Sequence, residues 1–130
     1  VPDHVGGYKE DLNGSDRSRY QIPLILAGGA IARPLKVGII GSQQDIAATL
    51  LAQLGVKHDD FKFSKNMMSD ATPKFAFFTS PDLFGVVSEE NSIIYDNKAQ
   101  KVVYDMGQKR YNLKRGKAYL QKLYDDLASK

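Results

Sequence analysis

The 130 residues include no cysteine. Disulfides, thiolate metal sites and cysteine nucleophiles are therefore excluded. No apolar run reaches the roughly 18 residues of a membrane-spanning helix, and no segment has the pattern of a signal peptide. There are only two histidines, His4 and His58. Gly28-Gly29-Ala30 matches neither GxGxxG nor a phosphate-binding loop, because no Gly-Lys-Ser/Thr follows it. No serine lies near a histidine in a hydrolase pattern.

The composition is that of a globular domain, 42% hydrophobic and 25% charged, and the length suffices for one domain with a real core. The chain begins Val1-Pro2-Asp3-His4, without an initiator methionine, and is expected to be a piece or processed product of a longer protein. The formal net charge is +3. Seven bases (Lys98, Lys101, Lys109, Arg110, Lys114, Arg115, Lys117) fall between Lys98 and Lys117 against one acid, Asp105. Such a stretch suits either a solvated face beside a terminal helix or a patch for polyanions or anionic lipid.

The clearest local pattern runs from Ile39 to Val56. Ser42 and Asp45 have the spacing of an N-terminal capping box, with Asp in place of Glu. Ile46, Leu50, Leu51 and Leu54 recur at helical spacing, and Gly55 can take the positive φ that closes a helix. The prediction is an amphipathic helix, fed by a strand-like Val37–Ile40, that covers a sheet. Val5–Tyr20 reads as loop. Gln21–Ala27, with Ile22-Pro23-Leu24-Ile25-Leu26, reads as a strand buried on both faces. Lys57–Asn66 reads as a surface loop pinned by Phe61 and Phe63.

From Lys74 the pattern changes. Segments 74–79, 83–87, 92–95 and 100–104 are short candidate strands separated by turn-rich pieces, and their close spacing predicts an antiparallel meander. A helix over about Leu113–Ala128 closes the chain, with Leu120, Leu123, Tyr124 and Leu127 on one face. The fold class is α/β, with 1–67 as the α/β part and 74–130 as meander plus helix.

Few residues can carry chemistry. Asp3-His4 pairs two ligands that suit Mn²⁺, Mg²⁺ or Zn²⁺, and Gly6-Gly7 permits the sharp turn they would need. His58 reads as an exposed histidine. Ser42 and Thr49 are accounted for by cap and helix. The meander's aromatics pack a core more readily than they stack bases, so no nucleic-acid partner is expected.

Three pieces in order resemble the C-terminal part of the alkaline-phosphatase/sulfatase superfamily: Pro2-Asp3-His4-Val5-Gly6, Tyr20–Ala27, and Gly41–Gly55. With Phe63-Ser64-Lys65-Asn66-Met67 as a further landmark, the chain is most similar to the lipoteichoic acid synthase-like sulfatase branch. Ala48 stands where many members have proline. The resemblance implies a partial alkaline-phosphatase-like sheet-and-helix sandwich, one catalytic domain of which 1–130 is the C-terminal portion. It also implies a sulfatase, hydrolase or transferase acting on phosphate or sulfate esters, lipid-linked ones included. Asp3 and His4 would bind one divalent metal, Mn or Mg first, then Zn or Ca; the lack of a third histidine disfavours a two-zinc site. Lys9, Arg17 and Arg19 would face the anionic substrate. The nucleophile, a hydroxyl or formylglycine, belongs to upstream residues, so these 130 residues alone are expected to be inactive. The parent would be anchored at the extracytoplasmic face of a bacterial inner membrane, in the cell envelope. The alternative is a non-catalytic module that binds polyanions or anionic lipid through the basic 98–117 patch. A piece cut from such a domain is also expected to self-associate through exposed sheet edges.

Overall fold

Large apolar residues at alternate positions from Phe75 onward build a four-stranded sheet. Its strands are β1 (Phe75–Thr79), β2 (Leu83–Ser88), β3 (Asn91–Asp96) and β4 (Lys101–Gly107). They pair antiparallel in the order β1-β2-β3-β4, which is the predicted meander. Phe77 lies opposite Val86, Val86 opposite Ile93, and Phe84 opposite Tyr95, so one face gathers the aromatic and branched side chains. A register shift at Ile94/Tyr95 interrupts the β3–β4 ladder. The β3–β4 turn is held by Asp96, whose Oδ1 accepts from the backbone N–H groups of Lys98 (2.9 Å) and Ala99 (2.7 Å).

Helix α2 (Asn112–Ala128) covers that face. Phe77, Phe84, Val86, Ile93 and Tyr95 form the core, and Leu113, Tyr119, Leu120 and Leu123 of α2 pack on it. Gly116 makes the approach possible: a Cβ there would lie 2.3 Å from a Phe84 ring carbon. The inward stripe therefore starts earlier than predicted. Leu120 and Leu123 are in it, whereas Tyr124 and Leu127 are exposed. The reason is length. A 17-residue helix spans about 25 Å, and strands of six or seven residues cover only about 20 Å, so the last turn overhangs the sheet.

Helix α1 (Asp45–Gln53) ends as predicted. Gly55 takes φ +68, Gly55 N–H donates to Ala52 O (3.1 Å) and Val56 N–H to Leu51 O (2.9 Å), the paired bonds of a Schellman ending. Its buried face is not the predicted one. Asp45, Ala48 and Thr49 point inward, whereas Leu50 and Leu54 are exposed, Leu54 at 74%.

The structure is a computed structural model describing residues 1–3, 13–29, 31–108 and 110–130, and it divides into two units, Val1–Gly38 and Ile39–Lys130. All the elements above belong to the second. In the first, Arg17–Tyr20 forms a 3₁₀ turn capped by Asp16, whose Oδ1 accepts from Ser18 N–H at 2.8 Å. The strands predicted over Gln21–Ala27 and Val37–Ile40 are not formed. Both segments lack ladder partners among the described residues, and Leu24, Ile25 and Leu26 are exposed. A strand is stable only beside neighbours that take its N–H and C=O groups. The chain is thus a mixed α and β protein with one four-stranded antiparallel sheet and two helices. Among the described residues, no helix is long and apolar enough to cross a membrane.

Candidate functional site

The residues singled out in the sequence separate into three places. Of the Asp3-His4 pair, Asp3 is exposed, and His4 lies outside the described residues, as does Lys9. Arg17 and Arg19 are exposed on the 3₁₀ turn. Among the described residues, no group of three His, Cys, Asp or Glu side chains is close enough to hold a metal. His58 is half-buried in the loop after α1.

The second place is the start of α1, where the chemistry is dense but fully committed to holding the chain. Asp45 is 1% exposed. Its Oδ2 accepts from Ser42 N–H (2.8 Å) and forms a close ion pair with the Lys65 ammonium; its Oδ1 accepts from Lys65 N–H (3.1 Å). The Ser42–Asp45 bond is the reciprocal half of the predicted capping box. The other half is redirected: Ser42 Oγ accepts from Phe77 N–H at 2.7 Å, on the outer side of edge strand β1. Thr49 Oγ1 donates to Asp45 O (2.6 Å) and accepts from Met67 N–H (3.0 Å), and Ser64 Oγ accepts from Ala48 N–H (3.0 Å). Each buried side-chain oxygen of Ser42, Asp45 and Thr49 has a hydrogen-bond partner, as a stable buried polar cluster requires. Ser42, Asp45 and Thr49 are therefore structural here, as the sequence suggested for Ser42 and Thr49.

Sequence reasoning missed the partners. Lys65 stood in a landmark motif, yet nothing in the spacing tied it to Asp45, 20 residues earlier. Tyr119 was also missed. Its hydroxyl accepts from Gln44 Nε2 (3.1 Å) and donates to Phe63 O (3.0 Å), joining α2 to the residue that precedes α1 and to the loop between α1 and β1. Burial raises its pKa above the ordinary tyrosine value, and nearby Asp45 raises it too, against a lowering by the Gln44 bond. Only one of the two loop aromatics pins that loop: Phe63 meets Tyr119 edge-on at 5.7 Å, and Phe61 is 47% exposed. Beside them lies an open cleft of about 340 Å³, lined among others by Gln44, Phe61, Lys62, Asp126 and Lys130. Hydrogen bonds from Lys130 and Lys62 hold the Asp126 carboxyl below the usual carboxylate range.

The third place is the basic stretch, which does not stay together in space. Lys98 and Lys101 lie at the β3–β4 turn, while Arg110 follows the far end of β4, about 20 Å along the strand. Arg110 pairs with Asp105 at 3.3 Å. Arg115 donates to Asn112 Oδ1 (3.0 Å) and lies 5.2 Å from the Phe75 ring. Lys117 donates to Tyr95 Oη at 3.2 Å and lies over its ring. Lys114 is exposed, and Lys109 lies outside the described residues.

No protein-family model, no curated protein and no solved structure matches the chain.

Proposed function

We propose that the chain is the C-terminal part of a metal-dependent sulfatase or phosphoglycerol-transferase-like enzyme, with an alkaline-phosphatase-like α/β architecture. The observation that carries this is the ordered series Asp3-His4, Ile22-Pro23-Leu24 and Ser42–Gly55. Two exposures support it. The apolar run Gln21–Ala27 is largely exposed, and α1 presents Leu50 and Leu54 outward. Strand-like apolar segments and a leucine-bearing helix face are the surfaces an α/β layer buries.

Within this proposal Asp3 and His4 supply a carboxylate and an imidazole to one divalent cation, a donor pair that fits Mn²⁺ or Mg²⁺. The bound metal would activate a hydroxyl nucleophile and neutralise charge on the transferred group. The remaining ligands, the nucleophile and any membrane anchor are assigned to other parts of the parent protein. The test is hydrolysis of an artificial phosphodiester or sulfate ester by the full-length parent with Mn²⁺. Asp3→Ala and His4→Ala should each abolish it, and retained activity in both would overturn the assignment. If binding to polyanions is the function instead, the 130 residues alone will bind heparin in a salt-dependent way, and reversing Arg110, Lys114 and Arg115 will end it.

A further inference from the structure

The turn that precedes the 3₁₀ segment holds a chemically reactive pair. Asn13 and Gly14 are both exposed. Asn13 Oδ1 accepts from Ser15 N–H (2.9 Å) and Ser15 Oγ–H (2.6 Å), and Asn13 O accepts from Asp16 N–H (3.0 Å). Among the described residues the Gly14 N–H has no acceptor. We propose that Asn13–Gly14 is a self-modification site, at which the turn promotes cyclisation of Asn13 and its conversion to aspartate or isoaspartate.

The chemistry needs only water and hydroxide. Hydroxide removes the Gly14 amide proton, and the nitrogen lone pair attacks Asn13 Cγ, closing a five-membered ring. Negative charge develops on Oδ1, which already accepts from two Ser15 donors, and hydrogen bonds to a charged acceptor are stronger than those to a neutral one. The bond from Asp16 N–H to Asn13 O withdraws electrons from the Asn13–Gly14 amide and eases loss of its proton. Collapse breaks the Cγ–Nδ2 bond, and ammonia leaves with a proton from water. Water then opens the resulting imide at either carbonyl. The balance is asparagine plus water giving aspartate or isoaspartate plus ammonia. Because Gly14 has no Cβ, nothing hinders ring closure.

The other asparagines lack this combination. Asn91, followed by the small Ser92, is 2% exposed, and its Nδ2 is tied to Asp105 Oδ1 (2.9 Å) and Met106 O (3.1 Å) within the sheet. Asn66, Asn97 and Asn112 precede methionine, lysine and leucine. The product adds one negative charge to the stretch of chain that carries Arg17 and Arg19. In its isoaspartyl form it lengthens the main chain by one carbon, which removes the Asn13–Asp16 turn bond.

The test is incubation of the folded chain in mildly alkaline buffer, read by peptide mass spectrometry and by isoaspartyl methyltransferase labelling. Expected are modification at Asn13 before any other asparagine, and a rate at least about fivefold above that of the same chain unfolded in urea, one hydrogen bond's worth of promotion. Ser15→Ala should slow the folded chain by about fivefold and leave the unfolded rate unchanged. Gly14→Ala should suppress the reaction in both. A folded rate equal to or below the unfolded one, or a folded rate indifferent to Ser15→Ala, would overturn the proposal.

Discussion

The two helices sit on unlike seats. Under α2 the contact is mainly aromatic and aliphatic, with one buried amide, Asn112, bonded to Asn91 O at its start: Phe77 and Tyr119 ring centres are 4.5 Å apart, and Phe84 and Tyr95 are 5.4 Å apart. Under α1 it is polar: a buried carboxylate, a lysine, two serines and a threonine, each bonded. Apolar contact is non-directional and grows with area. A buried polar cluster has directional demands and is intolerant of a missing member. The sheet side therefore supplies most of the stability, and the α1 side supplies register: it specifies where the helix begins and which backbone groups it meets.

Substitutions can break this contrast. The largest effect is expected at Phe84, fully buried under Gly116: Phe84→Ala should cost about 4 kcal/mol in denaturant unfolding. Asp45→Ala should come close, about 3 kcal/mol, because it strands the part-buried Lys65 ammonium and two backbone donors. The contrast sharpens in the double variant. Asp45→Ala with Lys65→Met should be more stable than Asp45→Ala alone, whereas a purely packing role for Asp45 would make the two losses add. Gly116→Ala raises helix propensity by about 1 kcal/mol yet presses on Phe84, and a net loss of about 1.5 kcal/mol is expected. Ser42→Ala leaves Phe77 N–H without its acceptor and should cost about 1 kcal/mol.

The smallest effect is a pH dependence. The Tyr119 pKa is raised on folding, chiefly by burial, so its contribution is complete below the unfolded tyrosine pKa and is lost as pH rises through the folded value. Stability should fall at strongly alkaline pH, and Tyr119→Phe should flatten that limb of the profile.

What could be read in the sequence follows the range of the forces. The meander was legible because Phe75–Thr79, Leu83–Ser88, Asn91–Asp96 and Lys101–Gly107 pair with near neighbours, so alternation and turn residues carry the signal. The Gly55 ending was legible because it is set within one turn of helix. The seat of α1 was not. Leu50 and Leu54 form the more hydrophobic stripe, and periodicity alone assigns that stripe to the interior. The buried face is set instead by Asp45 and Thr49, whose partners Ser64, Lys65 and Met67 arrive later in the chain. At Gln21–Ala27 the reading of a buried strand failed, because apolar composition does not supply the neighbouring strands that would make it one. For the candidate site, residue types at Asp3-His4 named a chemistry, while a coordination sphere depends on distant groups that spacing does not reveal.

Asp45 has one more consequence, for the order of events in folding. A nine-residue helix is too short to persist on its own in water. Its first turn is completed only when Lys65 supplies both its amide and its ammonium. As the chain is made from its N-terminus, α1 is spelled out well before it can hold. It becomes permanent when the loop that follows has folded back, so the helix and the loop form as one cooperative step.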